Sequence, residues 1–367
     1  MESDQALEMA GDLPQMKPTT DAESAFLSSE KAEPTPLYQY QPLESDDTIR
    51  MVELLPGSSD DRETVEILLH HRPLSDMPKC SAISYMWGDV SRNHEVMCDG
   101  KTIKVTSSVF FLLDKIRTTE SHLIWIDSIA INQDDLAERS QQVSLMKDIY
   151  QSAKTVLIWI GDETRYTKEA FEAAEDLSWG FDYIKSTNQI KDGGFGQFET
   201  TADIPELSQL ELLTKEPWWE GVEDAFPRNY FRRLWIVQEI VLSSNASVVC
   251  GRHQIPWEIF YKAARCISYC RFLQVEIWNS PILTDITLIG NTRYFEETRI
   301  LPVLMGRFSR KQAYEPRDRV FAILGMLSSG SQHKLLQVDY TKPVEKVFRE
   351  ATEYNIIQHQ SLGGWAS

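Results

Sequence analysis

No stretch of this 367-residue chain runs apolar for the roughly 18–20 residues that a membrane-spanning helix needs; charges break each such run, and mean hydropathy is −0.33. No membrane span is therefore expected. Positive charge is scarce: 37 Lys and Arg stand against 55 Asp and Glu, giving a net charge of −18 and a pI near 4.9. A surface that tracks a phosphate backbone needs a local cationic excess, and no dense basic run supplies one, so no nucleic-acid partner is expected. Cysteine is sparse, five in all, which argues against a disulfide framework and for a reducing compartment. The opening Met1-Glu2-Ser3-Asp4 is acidic where a secretory signal is basic and then apolar, and a cytoplasmic location is the expectation. GxxxxGK followed by Ser or Thr, HExxH and CxxC are all missing. Cys266 and Cys270 sit one helical turn apart without a second pair, so no metal site is expected. None of the seven histidines falls inside the clusters described below, which leaves a Ser-His-Asp or Cys-His arrangement without support.

What the chain does have is apolar mass: 42% of its residues are hydrophobic, enough for one large core or two ordinary ones. Residues 1–36 read as a disordered, acidic, proline-containing tail, with Phe26 as their sole aromatic. Strands follow at Ile49–Leu55, Val65–Leu69 and Cys80–Trp87, and Asp99-Gly100 joins Val96–Cys98 to Ile103–Val105 as a hairpin. Ser107 or Ser108 is expected to cap an amphipathic helix. Then Leu123–Asp127, a helix opened by Asp134-Asp135, and Thr155–Ile160 read as a β-α-β unit, hence a parallel sheet with helices on its faces. Residues 163–226 form an insertion, with a helix over Lys168–Trp179, a Gly193-Gly194-Phe195-Gly196 turn and an acidic stretch holding Trp218-Trp219. Asn229 is expected to cap a helix reaching Leu242, followed by a strand at Ala246–Cys250. Helices begin near Pro256, Pro316 and Pro343.

Three clusters can carry chemistry. The strand Ile83–Trp87 ends at Gly88-Asp89, and in a parallel α/β sheet ligands bind beyond the carboxyl ends of strands. Gly88 lets the backbone pass close to a ligand and Asp89 can accept hydrogen bonds from it; as a plain turn, Gly88 bends the chain and Asp89 caps it. The second cluster is Trp125-Ile126-Asp127 with Ile131-Asn132-Gln133. Asp127 falls at a strand's carboxyl end, while Asn132 and Gln133 supply paired donors and acceptors, or else satisfy loop backbone, with Trp125 in the core. The third runs from Tyr230 to Glu239. On one helix Phe231, Leu234, Trp235 and Gln238 share a side, and Glu239 lies on or beside that stripe. A carboxylate there needs a partner, Arg232 or Arg233, or a cleft.

These segments together resemble the fungal heterokaryon incompatibility (HET) domain. The resemblance is carried by SYMWGD at 84–89, WIDSIAINQDDLAERSQQVSLMKDIYQSAKTVLIWIGD at 125–162, and FRRLWIVQEI at 231–240 with CG at 250–251. EPRDRVFAILGM at 315–326 is similar to the region that follows this domain in such proteins. Ala130 stands where the family usually has cysteine in the INQ motif, so that thiol is not essential here. The resemblance implies a HET domain over 37–255, a helical C-terminal extension over 256–367 that stops short, and self/non-self recognition with a cell-death response. It implies protein partners of the incompatibility system and self-association.

A looser similarity is to TIR domains, on Ser84-Tyr85, Trp125 with Asp127, Val156–Ile160 and Trp235 with Glu239 in that order. It implies an α/β, TIR-like (flavodoxin-like) parallel sheet flanked by helices, with N-terminal β-hairpins at its edge. Some TIR domains cleave NAD with that helical glutamate. By that analogy Glu239 is the catalytic candidate, NAD is a substrate rather than a cofactor, and Trp87, Gly88, Asp89, Asp127, Asn132, Gln133 and Trp235 are the substrate-binding candidates. Three readings follow: a signalling and interaction module without chemistry, a NAD glycohydrolase, and an inert truncated paralogue.

Overall fold

The computed structural model describes residues 35–57, 64–186, 218–269, 280–327 and 336–359. The tail to residue 34, the Gly193–Gly196 turn, the acidic stretch before Trp218 and Cys270 lie outside the described residues. The first half is built from β1 (Thr48–Leu54), β2 (Glu66–Pro73), β3 (Ser81–Ser84), β4 (His94–Cys98), β5 (Lys101–Val105), α1 (Ser107–Ile116), β6 (His122–Trp125), the single turn α2 (Asp127–Ala130), α3 (Leu136–Ser152) and β7 (Thr155–Trp159). The second half has α4 (Thr167–Ser186), α5 (Trp218–Ala225), α6 (Trp235–Leu242), β8 (Ala246–Cys250), β9 (His253–Pro256), α7 (Trp257–Tyr269), α8 (Pro281–Tyr294), α9 (Leu301–Arg307), α10 (Asp318–Leu324) and α11 (Val344–His359).

Among the described residues nine strands form one mixed sheet in the order β5-β4-β2-β1-β6-β3-β7-β8-β9. Its centre, β6-β3-β7-β8, is parallel throughout. Renumbered along the chain, those four strands lie 2-1-3-4, the order that begins a flavodoxin-like sheet. The antiparallel pair β1-β2 joins this centre through β1 against β6, and the β4-β5 hairpin extends the sheet beyond β2. The expected hairpin turn is present, with Asp99 at φ 49° and Gly100 at φ 71°, the doubly left-handed bend that matches strand twist.

Alternation along the central strands sends side chains to two separate cores. Ala82, Trp125, Val156 and Ile158 join a large apolar cluster with residues of α3 to α11. Ile83, Ile124, Leu157 and Trp159 point the other way, toward α1 and the N-terminal strands. Trp125 is fully buried, so its indole is core rather than site. Buried residues of the helices after residue 256 join the first of these clusters, with α7 packed beside β8 and β9.

Two local expectations are corrected. Thr106, not Ser107 or Ser108, caps α1, its hydroxyl accepting from the Val109 amide at 3.4 Å. The expected helix from Asn229 to Leu242 is broken into a 3-10 turn, Asn229–Arg232, and α6. Tertiary pairing causes the break. Leu234 N donates to Gln312 O at 2.9 Å, and Gln312 N donates to Arg232 O at 2.7 Å, so this backbone is engaged by a distant segment. Phe231 therefore does not share one helical stripe with Trp235 and Gln238.

The loop after β6 is pinned from β1. Arg50 is fully buried; its guanidinium grips Glu138 at the start of α3, one arm at 2.9 Å, and donates to Ala130 O at 3.2 Å and Gln41 O at 2.6 Å. Glu138 also accepts from Asn132 N at 2.7 Å, and Asp135 caps α3 as expected. One buried ion pair thus fixes the INQ loop against the sheet. Arg50→Met leaves the Glu138 carboxylate without its cation in a largely dry site, and should cost about 3–5 kcal/mol in chemical denaturation.

Candidate functional site

Beyond the carboxyl ends of β3 and β6 lies a cavity of about 370 Å³. This is where helix starts and loops converge in a parallel sheet, and where a ligand site is expected. Trp87, Gly88, Asp127, Gln133 and Trp235 all line it. Five of the eight residues singled out from sequence therefore meet on one wall system. Gly88 takes φ +65°, a left-handed conformation that favours glycine, and a Cβ there would sit 2.7 Å from Ser108 Oγ, so a substitution would strain the backbone and have to displace that hydroxyl.

The other three do not line it. Asp89 is exposed and accepts from Ser91 N at 3.0 Å, the turn-forming role. Asn132 serves its own loop, its Oδ1 accepting from Asp134 N at 3.3 Å. Glu239 is 2% exposed and lies behind the wall, in the core.

Glu239 sits on α6 facing β3. Ser84 Oγ donates to its Oε2, so the Tyr230 hydroxyl, which touches the same Ser84 oxygen, must be the donor in that second bond. Burial pushes the Glu239 carboxyl up to about 7, and the Asp127 charge adds to this; Arg233 and the Ser84 bond act the other way. Asp127 is also pushed up by burial and held back by Arg233 and by Trp87 Nε1, which donates to its Oδ2 at 3.2 Å. Ser128 N donates to Asp127 Oδ1 at 2.8 Å, and Gln133 Nε2 donates to Asp127 O at 2.9 Å. Arg233 lines the cavity and donates to Tyr85 O. Burial disfavours its charge, but Glu239 and Asp127 outweigh that and hold its pKa above the ordinary value. One guanidinium thus compensates two buried carboxylates from a distance, without contact pairing to either. Of the two arginines considered as partners, Arg233 has the role and Arg232 is exposed.

The far wall comes from residues that sequence reasoning did not place in a site: Arg139, Gln312–Glu315, Asp318 and Tyr340. Asp318 accepts from Trp235 Nε1 at 2.9 Å and from the Tyr340 hydroxyl at 2.6 Å, which ties α10 to α6. Lys311 anchors the Gln312 segment: its fully buried ammonium lies 3.1 Å from Asp285 and donates to Phe231 O. Burial lowers its pKa to about 8. The EPRDRV run was the one available signal for this wall, and nothing local to it reveals that it faces Trp235. No group of three or more metal-ligating side chains occurs among the described residues.

The elevated Glu239 pKa has a definite linkage sign. The folded state holds a proton that the unfolded chain releases from about pH 4.5 upward, so this group's contribution to stability falls between about 4.5 and 7 and is level above. Glu239→Gln keeps the shape and removes the charge. Its melting temperature should exceed that of the native protein at pH 8, by up to ~3 kcal/mol of stability, with the difference shrinking toward pH 5. A pH-independent difference would show that the carboxyl titrates alike in the folded and unfolded chain, so that burial does not raise its pKa.

A family profile described as "Heterokaryon incompatibility protein (HET)" matches residues 81–239, the stretch that runs from β3 to Glu239 itself. The chain is similar to heterokaryon incompatibility protein 6, OR allele, of Neurospora crassa, at 30% identity over 231 residues. The match covers 55% of this chain and 33% of that protein, so the chain spans about a third of its curated relative's length. No solved structure matches the chain.

Proposed function

We propose, on the match of residues 81–239 to the heterokaryon incompatibility (HET) profile and the similarity to heterokaryon incompatibility protein 6, that the chain carries a HET domain and acts in fungal self/non-self recognition as a signalling module that triggers a cell-death response. In this reading the HET domain engages a protein partner of the incompatibility system or a second copy of itself, in the cytoplasm, and makes or breaks no covalent bond. No cofactor, nucleic acid or membrane enters it. The observation that carries it is the placement of Glu239. An acid that stabilises developing charge on a substrate must face that substrate; this carboxylate instead faces Ser84 in the core, outside the cavity wall. Among the described residues no helix is long and apolar enough to cross a membrane.

A second reading has its own support. Trp87, Asp127 and Trp235 share a cavity at the carboxyl edge of strands ordered 2-1-3-4, and Arg233 links that cavity electrostatically to Glu239. A TIR-like NAD glycohydrolase would place the ribose there, with Trp87 against a base and Asp127 orienting the sugar. Glu239 would stabilise the oxocarbenium charge as the nicotinamide bond breaks. That chemistry requires the Glu239 side chain to leave Ser84 and enter the cavity.

Glu239→Gln separates the two. The signalling reading expects the variant to trigger incompatibility at the native level on expression in a fungal host, and expects no nicotinamide release from NAD by the native protein. Nicotinamide release by the native protein that Glu239→Gln abolishes, with the melt retained, would overturn it in favour of the enzyme.

A further inference from the structure

Three aromatic rings on the cavity wall have no ring partner in the protein. Among the described residues Trp125, Trp179 and Trp257 each pack against another aromatic ring, whereas Trp87, Trp235 and Tyr314 pair with neither an aromatic ring nor a cation. All three line the same cavity of about 370 Å³, and the exposed apolar side chains of Met86 and Val90 line it with them. Tyr314 is 87% exposed, more than any other large apolar side chain described. Apolar exposure gathered on one concave wall marks a binding site, and this volume suits a small molecule rather than a folded partner.

The charges of the wall disfavour an ion there. Arg92 pairs with Asp134 at 3.1 Å, and Glu315 takes the fork of Arg317 at 2.8 and 3.0 Å. Arg233 offsets Glu239 and Asp127. Arg139 lies on the Tyr340 ring, 3.8 Å from its centroid, where its charge favours the ionised forms of Asp318 and Glu315. The wall's arginines and carboxylates thus answer one another or a near neighbour. A ligand of either sign would shed water and meet no surplus of opposite charge.

What the wall still offers is neutral. Gln133 Nε2 donates to Asp127 O at 2.9 Å, and its Oε1 has no partner among the described residues. The Gln312 side chain has none either, although its backbone is held at Arg232 and Leu234. A carboxamide presents donor and acceptor together and matches the same pair on an uncharged molecule. The indole N–H groups are spent on carboxylates, Trp87 on Asp127 at 3.2 Å and Trp235 on Asp318 at 2.9 Å. Such a bond pushes electron density into the ring and suits it to stack on an electron-poor one. We propose that this cavity binds an uncharged, electron-poor aromatic heterocycle bearing an amide, its ring against Trp87, Trp235 and Tyr314 and its polar edge met by the free carboxamides. Such a ligand touches the chain after β3, the start of α6 and the Gln312–Asp318 segment, so it bridges the sheet to the C-terminal helices.

This goes beyond both readings of function and rests on neither, since binding is read without a cell-death or cleavage assay. Calorimetric titration of the full chain compares three probes of one size: quinoline-3-carboxamide, neutral; quinoline-3-carboxylate, an anion; and quinoline-3-carboxamidine, a cation. The amide should bind about tenfold tighter than either ion. Tyr314→Ala removes a ring with no hydrogen bond or ring contact among the described residues, so its melt should match the native protein while the amide binds about fivefold more weakly. Either ion binding as tightly as the amide would overturn the assignment. So would an amide affinity unchanged in Tyr314→Ala, or failure of the amide to bind.

Discussion

A carboxylate in the core of a protein must be answered by something polar, and here the answer to Glu239 organises three distant pieces of chain. Ser84 supplies the hydrogen bond from β3, Tyr230 completes it from the turn before α6, and Arg233 supplies the opposite charge from between them. None of these groups can move without leaving another unsatisfied. The strand end at Ser84–Gly88 and the start of α6 are thereby locked together, and the cavity is the space they leave above the lock.

The guanidinium of Arg233 stands on the boundary between the two regions. Toward the core it balances Glu239 and Asp127; toward solvent it faces an open wall. Such a group transmits electrostatics in both directions, because whatever neutralises it from one side changes the field felt on the other. This is the physical route by which occupation of the cavity would be felt by α6, and it exists whether the domain signals or cleaves. The Lys311–Asp285 pair plays a quieter part. By holding the Gln312 segment against Arg232 and Leu234, it breaks what would be a single helix and turns Arg233 out of a helical stripe into the cavity.

The parallel centre of the sheet was legible from short apolar runs at 81–87, 123–127, 156–160 and 246–250, because strands covered on both faces can carry little polarity. The Asp99-Gly100 turn and the Asp135 cap were legible for equally local reasons: each is decided by a few adjacent residues. The unbroken helix from Asn229 was misread because its interruption comes from Gln312, some eighty residues away, and local propensity carries no trace of that partner. Asn132 and Asp89 were over-read for the same cause in reverse. Their side chains satisfy neighbouring amides, which short polar residues do in any loop.

The sequence by itself determined the α/β class of fold, the similarity to HET domains and the placing of Gly88 and Asp127 at strand carboxyl ends, because these follow from local periodicity and motif. That Trp87, Gly88, Asp127, Gln133 and Trp235 meet around one cavity came from the strand order of the folded sheet. Only tertiary structure decided on which side of the wall Glu239 falls, and that Arg233 rather than Arg232 answers its charge. Both depend on which partner reaches each side chain: a hydroxyl from β3 for the glutamate, and indoles and a tyrosine for the aspartates. Those are distances between segments far apart in the chain, and composition holds no record of them.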